Sequence, residues 1–436
     1  MAPASEAHRT HPLTALLQGL IWGAGVAVAL SWQMLDFDDP QWWALASIPS
    51  GFVIGAIAGW VSWLFTRYVI DDEEIRVERG VLFKSSRRIP FERLQSVDIN
   101  EPLVARVVGL SELTIEMAGG SDSRTRLRFL TLTESRRLRR LLLERAHGTP
   151  EEHSEDGEPV PSEIRQVLHV VPPDRIILGT LLSLDFVGTV AAAIASIVFA
   201  VFTETGWALL AILLPTLWGI GHMITNRIIA QWDFTLSRHP RGLRIERGLL
   251  SRSSQTIPFD RVQGIGVVEP IVWRRYSWLR LDVDVAGYGA VSDENGGVSS
   301  TTLLPIADRD LARRIVDELV PDPERGTGER IRPTRRSMIF APIGWRYRWL
   351  ASTAHTVTTA TGWITRHRSV VPHHKVQSVE FSQGPLQRWR RVATMKVHTP
   401  DGPVSAQAHH LDEDVARATT FDEVERARAA RRLTRR

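Results

Sequence analysis

Four apolar blocks interrupt an otherwise mixed chain: Leu13–Leu35, Trp42–Phe65, Ile176–Phe202 and Trp207–Ala230. The first carries no charge in 23 residues. At about 1.5 Å rise per residue, such a block spans a bilayer core of roughly 30 Å. The blocks come in pairs joined by short acidic turns, DFDDPQ in the first pair and TETG in the second. Short turns force antiparallel neighbours, so the pattern predicts two transmembrane hairpins and four spans. Arg67, Arg175 and Arg227 flank the opposite ends. The positive-inside rule then puts both termini and everything between the hairpins in the cytoplasm, at the inner (plasma) membrane of the cell. A cleaved signal peptide does not fit the first block, which is too long, lacks a clear small-residue cleavage site and is followed at once by a partner. Gly19 and Gly23, and Gly51, Gly55 and Gly59, recur every four residues, a spacing that lets helix backbones approach closely in lipid.

Two ionisable residues sit inside the second hairpin, Asp185 in the third block and His222 in the fourth. In an antiparallel pair they fall at similar depth. They read either as an intramembrane polar pair that holds register or as part of an ion or proton pathway.

Outside the blocks the period drops to two. Val69-Ile70, Ile75–Val77, Val81–Phe83, Leu94/Val97/Ile99, Leu113/Ile115/Met117 and Leu127–Phe129 read as short strands, with a turn at Gly119-Gly120. The period changes again in TLTESRRLRRLLLERA, where Leu138, Leu141, Leu142 and Leu143 make a helix face and Thr133 is the expected N-cap. The resulting division is a first hairpin with its N-terminal segment (1–67), a strand-rich unit (68–146), an acidic linker (147–173), a second hairpin (174–230), a second unit (231–320), a second linker (321–336), a divergent third unit (337–423) and a basic tail (424–436). The third unit has no hairpin before it. Its WRYRW centre reads as an interfacial anchor or a first strand.

One stretch is written three times. Arg79–Pro102 returns at an offset of 168 residues as Arg247–Pro270, and more weakly as Gly362–Pro385. Gly80, Pro90, Gln95 and Pro102 fall on Gly248, Pro258, Gln263 and Pro270; the third copy keeps Gly362, Pro372 and Gln377 and gains one residue before Pro385. The repeated Pro and Gln positions read as turn and barrel-closing residues. Self-similarity this long is a far stronger signal than a short motif.

Hairpins followed by units bearing this signature and a closing helix, plus an extra C-terminal unit, resemble the bacterial pleckstrin-homology (PH) domain membrane proteins of the YdbS/YdbT type. The resemblance covers almost the whole chain. It implies an α+β membrane protein in which each unit is a PH-like fold, a bent seven-stranded antiparallel barrel closed by one helix. It also implies a smaller single-unit PH-domain companion in the membrane, and a role in envelope protection against membrane-active compounds. The third unit departs from the pattern by replacing Phe-Glu/Asp-Arg with His373-His374-Lys375.

Composition narrows the chemistry. Cysteine is absent, which removes disulfides, thiol nucleophiles and thiolate metal sites. His373-His374 and His409-His410 show no recognised metal-ligand spacing, and no nucleophile elbow, Walker loop or dinucleotide fingerprint is present. The expectation is a non-enzymatic protein without cofactor or small-molecule substrate. Nearly every basic residue is Arg, and 15 Trp accompany them. Such composition suits phosphate-rich surfaces, and the apolar blocks favour lipid over nucleic acid, for which no module is recognised. Basic and aromatic residues flank each motif: Arg87, Arg88 and Arg106 in the first unit; Trp273, Arg274, Arg275 and Trp278 in the second; Arg388, Trp389 and Arg390 in the third. These are the candidate surface for a partner membrane protein, for a second copy of the chain or for anionic lipid of the inner leaflet, where a basic side chain gains about 1 kcal/mol.

Overall fold

The computed structural model describes residues 7–9, 53, 57, 60–61, 67–70, 74–79, 85–102, 106, 108–117, 124–147, 166–202, 216–239, 242–286, 302–325, 328–399 and 404–434. Nearly all of the first hairpin, with its five spaced glycines, lies outside them, as do Gly80, most of the acidic linker and the turn of the second hairpin. The chain divides into two compact units, Met1–Ser162 with Leu250–Gln255, and Glu163–Leu249 with Thr256–Arg436.

In the first unit, β1 (Ala7–Arg9), β2 (Arg67–Ile70), β3 (Glu74–Arg79) and β4 (Ser85–Pro90) form an antiparallel sheet in that order. Strands β5 (Leu94–Glu101), β6 (Leu110–Met117) and β7 (Arg124–Thr131) pair in sequence, and α1 (Leu132–His147) follows. Seven strands and a closing helix are what the resemblance implies. Ile75, Ile89, Phe91, Leu94, Leu113, Ile115 and Leu127 form the core, closed by Leu138 and Leu142 one helical turn apart. Leu141 and Leu143 are only half-buried, so the helix contributes a narrower stripe than its run of leucines suggests. Thr131, not Thr133, caps α1: its Oγ1 accepts from the Glu134 amide at 3.3 Å. Within the same unit, Arg252–Ser254 pair with Ile99–Glu101 along the open edge of β5.

The position of β1 was not apparent in the strand pattern. Ala7 pairs with Val69 and Arg9 with Arg67, so the first strand precedes the apolar blocks and the second follows them. The second unit repeats this. Strand β8 (Gln166–Val170) precedes α2 (Pro173–Leu181) and α3 (Leu184–Phe202); helical turns at 216–224 and a π-helical stretch, Thr225–Ile229, lead back to β9 (Thr235–His239), which pairs with β8. The stretch 147–173 therefore ends in a strand of the repeat that the boundary at 231 would have cut off. Three to five residues of alternation before a long apolar block are too few to register as a strand.

Strands β10 (Gly242–Arg247), β11 (Arg252–Pro258), β12 (Val262–Pro270), β13 (Trp278–Val285) and β14 (Thr302–Asp308), closed by α4 (Arg309–Leu319), complete the second repeat. The third repeat begins inside the stretch 321–336 with β15 (Arg330–Ile331), which pairs with β16 (Trp349–Ser352). Two 3-10 turns, Arg335–Ile339 and Gly344–Tyr347, occupy the place where the other repeats carry a pair of apolar blocks. Then come β17 (Thr356–Thr361), β18 (Thr365–Pro372), β19 (Ser378–Ser382), α5 (Pro385–Arg390), β20 (Val392–His398), β21 (Ala406–Asp412) and α6 (Glu413–Thr434). The residues read as a separate tail from 424 continue α6. Its buried face, Ala416, Thr420, Glu423 and Ala427, follows helical spacing across that boundary.

Among the described residues no single helix is long and apolar enough to cross a membrane, but α2 and the Leu184–Phe199 part of α3 pass that test together, bent by 49°. The sequence reads Ile176–Phe202 as one span. The break falls at Leu182-Ser183, where the Ser183 hydroxyl accepts from the Phe186 amide at 3.3 Å and restarts the helix. Along α3, Val187, Ile194, Val198, Phe199 and Phe202 are exposed.

Candidate interaction surface

The thrice-written motif makes one corner of each barrel. Pro90, Pro258 and Pro372 have φ of −64°, −69° and −66°, each just before a three-residue 3-10 turn that leads into the next strand. Proline presets that angle. Gly362 has φ +90°, and a Cβ there would lie 1.9 Å from the Thr365 carbonyl oxygen, so the β17–β18 turn admits only glycine. The Gln263 side chain is buried and donates to the Arg261 carbonyl at 3.1 Å; Gln377 is exposed, and its backbone N–H donates to the His398 carbonyl at 2.9 Å. The Gln95 side chain lies outside the described residues. Pro102 and Pro270 close the strand after the motif, and Pro385 opens α5.

A deeper correspondence lies after those prolines. The connection between fifth and sixth strands ends in all three repeats on a left-handed residue: Gly109 at φ +71°, Ser277 at +56° and Arg391 at +53°. Because only one of the three is glycine, the sequence gives no sign of it.

That connection carries most of the proposed surface, and the structure separates its members. Trp273 and Trp278 are buried, 7% and 8% exposed. The Trp273 indole donates to the Gly179 carbonyl at 3.2 Å, which pins the foot of α2 to the barrel. Gly179 is there because a Cβ would sit 2.2 Å from Ile306 Cδ1. These tryptophans are therefore core and hairpin anchor, not contact surface; a Trp beside basic residues looks the same in sequence in either role. The Arg274 guanidinium donates to the Trp363 and Ile364 carbonyls at 2.6 and 2.9 Å, so it clamps the β17–β18 turn of the next repeat. Burial, then repulsion from Arg366, holds its pKa below the ordinary arginine value.

Arg88, Arg106 and Arg275 are exposed, while the Arg87 side chain lies outside the described residues. In the third repeat the connection is α5, capped by the Gln387 side chain, whose Oε1 accepts from the Gly384 amide at 2.8 Å. Here Leu386 is 67% and Trp389 71% exposed, Arg388 is exposed, and the Arg390 guanidinium lies 5.4 Å from the Trp389 ring centroid. This compact patch of aromatic, aliphatic and basic groups survives as an outward surface.

The expected Asp185–His222 pairing does not form. Asp185 accepts from the Arg227 guanidinium, and His222 Nε2 lies 2.8 Å from the Asn226 side chain on its own helix. A carboxylate beside a permanent cation is the stronger pairing.

Buried polar groups form further contacts. Between the second and third repeats, Glu269 is almost wholly buried and faces Arg309 at 3.0 Å, with Arg366 and Arg368 at 3.6 and 3.7 Å. Burial lowers the pKa of Arg368 against the opposing effect of Glu269. The recurrence of Glu before the motif's last proline, Glu101 and Glu269, was the available sign. In the third repeat His373 replaces the buried Phe91; its Nδ1 lies 2.6 Å from Glu423 and its Nε2 faces the Thr353 carbonyl at 3.1 Å. His410 stacks on Phe340 and lies 2.9 Å from Gln387. Among the described residues no group of three or more His, Cys, Asp or Glu could hold a metal ion.

Comparison with known proteins places this geometry. The profile of the "Bacterial PH domain" family matches residues 14–146, 177–321 and 333–431. The UPF0699 transmembrane protein YdbT of Bacillus subtilis (strain 168) is 21% identical over 294 residues, a match that covers 62% of this chain and 59% of that relative's length.

Proposed function

Because the chain belongs to the bacterial PH domain family, we propose that it is a non-enzymatic integral membrane scaffold whose repeats bind another membrane protein at the cytoplasmic face. Exposed apolar side chains along α3 support the membrane placement, since lipid would cover them, and a relative described as a transmembrane protein fits it. The strand order supports tethering: in the first two repeats the paired apolar blocks lie between the first two strands, so hairpins formed there would hold each repeat at the bilayer.

One observation carries the partner-binding reading. In the second repeat the connection after the fifth strand is spent on its own hairpin, with Trp273 buried against Gly179. The third repeat has no hairpin, and the same connection turns Leu386 and Trp389 outward beside Arg388 and Arg390. Aromatic and Arg anchors of this kind dominate binding energy at protein interfaces. The test is crosslinking capture of tagged full-length protein from native membranes, beside a Leu386→Ala, Trp389→Ala variant. A specific membrane protein captured by the parent and lost in the variant, with insertion unchanged, is the expected result. No enriched protein, with purified full-length protein binding anionic vesicles in a salt-sensitive way, would replace this reading by lipid sensing.

A further inference from the structure

We propose that copies of this chain join head to tail by strand addition, the β19 edge of one copy taking the β4 edge of another. This goes beyond capture of a different membrane protein and does not depend on it.

The inference rests on a contact that the chain makes twice within itself. Strand β12 pairs antiparallel with β18, matching Val267 with Arg368, Val268 with His367 and Glu269 with Arg366. Strand β5 takes β11 in the same way, matching Ile99 with Ser254, Asn100 with Ser253 and Glu101 with Arg252. Motif alignment places Ile99, Asn100 and Glu101 on Val267, Val268 and Glu269, and places Ser254, Ser253 and Arg252 on Arg368, His367 and Arg366. The two junctions therefore share one register. Each joins the fifth strand of a repeat to the fourth strand of the next, and each sets a Glu opposite an Arg.

Among the described residues the three repeats make this junction twice and leave one half of it in the first repeat and the other in the third. The fourth strand of the first repeat, β4, is the last strand of the β1-β2-β3-β4 sheet, and the fifth strand of the third repeat, β19, is the first of the β19-β20-β21 sheet. Among the described residues neither has a strand on its outer side. Unpaired strand edges are templates for further pairing unless blocked. Continuing the shared register matches Ser382 with Ser85, Phe381 with Ser86, Glu380 with Arg87 and Val379 with Arg88. Glu380 falls opposite Arg87, three positions from the Glu–Arg pair of the existing junctions, where Gln383 and Lys84 stand instead. Pairing two β4 edges would instead bring Arg87 and Arg88 against their own copies, so charge favours the head-to-tail joint. Such a joint is heterologous and builds a ring or an open row in the membrane plane.

The cysteine-free sequence makes the test clean. Two differently tagged full-length chains, one Ser85→Cys and one Ser382→Cys, are co-expressed, and their isolated membranes are oxidised. Directly opposed strand residues lie within disulfide reach. A disulfide-linked dimer carrying both tags, absent from either variant alone, supports the joint. The internal control is Val268→Cys with His367→Cys, the equivalent pair of the existing junction, which closes within one chain. No mixed dimer where that control closes, a dimer formed equally well by the off-register pair Arg88→Cys and Ser382→Cys, or Ser382→Cys crosslinking only to another protein would each overturn the proposal.

Discussion

The departure of the third motif copy from Phe-Glu/Asp-Arg has a local physical reason. Phe91 fills its barrel corner with apolar surface, whereas His373 reaches a carboxylate that α6 brings inside, 1% exposed at Glu423. Removing one partner of such a buried pair strands the other, at a cost of about 3–5 kcal/mol. His373→Ala is therefore expected to lower the unfolding midpoint of full-length protein in detergent by that order. The double variant His373→Phe, Glu423→Leu should recover most of the loss, because it strands neither member of the pair and Arg426 still donates to Ser352 and the Thr353 carbonyl. A second residue-scale effect depends on pH. Burial first, then Arg348 and His409, push the pKa of His410 down to about 4. The unfolded chain, titrating near 6.5, then binds more protons than the folded one between pH 6.5 and 4. Stability from this group is complete above about 6.5 and drains away as pH falls towards 4. Thermal melts across that window should show the decline, and His410→Asn, which tolerates the left-handed backbone at this position, should make it shallower, the rest coming from His169, His367, His374 and His409, whose pKa values burial also lowers.

Among elements, α2 packs closely on the second repeat at Gly179. A Cβ on Gly179 would meet the end of the Ile306 side chain, a flexible group, so Gly179→Ala should cost about 1–3 kcal/mol by overpacking. Ile306→Val in the same chain should restore part of it, read by unfolding of the intact protein. The strands after the motif, the closing helices and the threefold repeat were legible in the sequence, since a period of two or 3.6 and a recurring Gly-Pro-Gln pattern are written in side-chain type. The first strand of each repeat was not. Ala7–Arg9, Gln166–Val170 and Arg330–Ile331 are too short for a period, and their partners lie across an apolar block or a pair of 3-10 turns. The surface was half legible for a related reason. Arg388, Trp389 and Arg390 and the buried Trp273 and Trp278 have the same composition, and only packing against Gly179 tells anchor from contact.

For the whole molecule, the proposal turns on the paired apolar blocks that fall between the first and second strands of the first two repeats, which as membrane hairpins would tether those repeats to one face. By the positive-inside rule, Arg67, Arg175 and Arg227 beside the apolar blocks and the acidic stretches between the paired blocks predict that the repeats face the cytoplasm. The absence of cysteine allows it to be read one position at a time. The decisive measurement is labelling of single-cysteine variants with a membrane-impermeant maleimide in intact cells stripped of any outer barrier. Asp38→Cys and Glu204→Cys, in the two turns, should label at once; Ser251→Cys and Ser405→Cys, in the second and third repeats, should label only after lysis. Labelling of the two repeat positions in intact cells, or protection of both turns, would contradict a scaffold tethered at the cytoplasmic face.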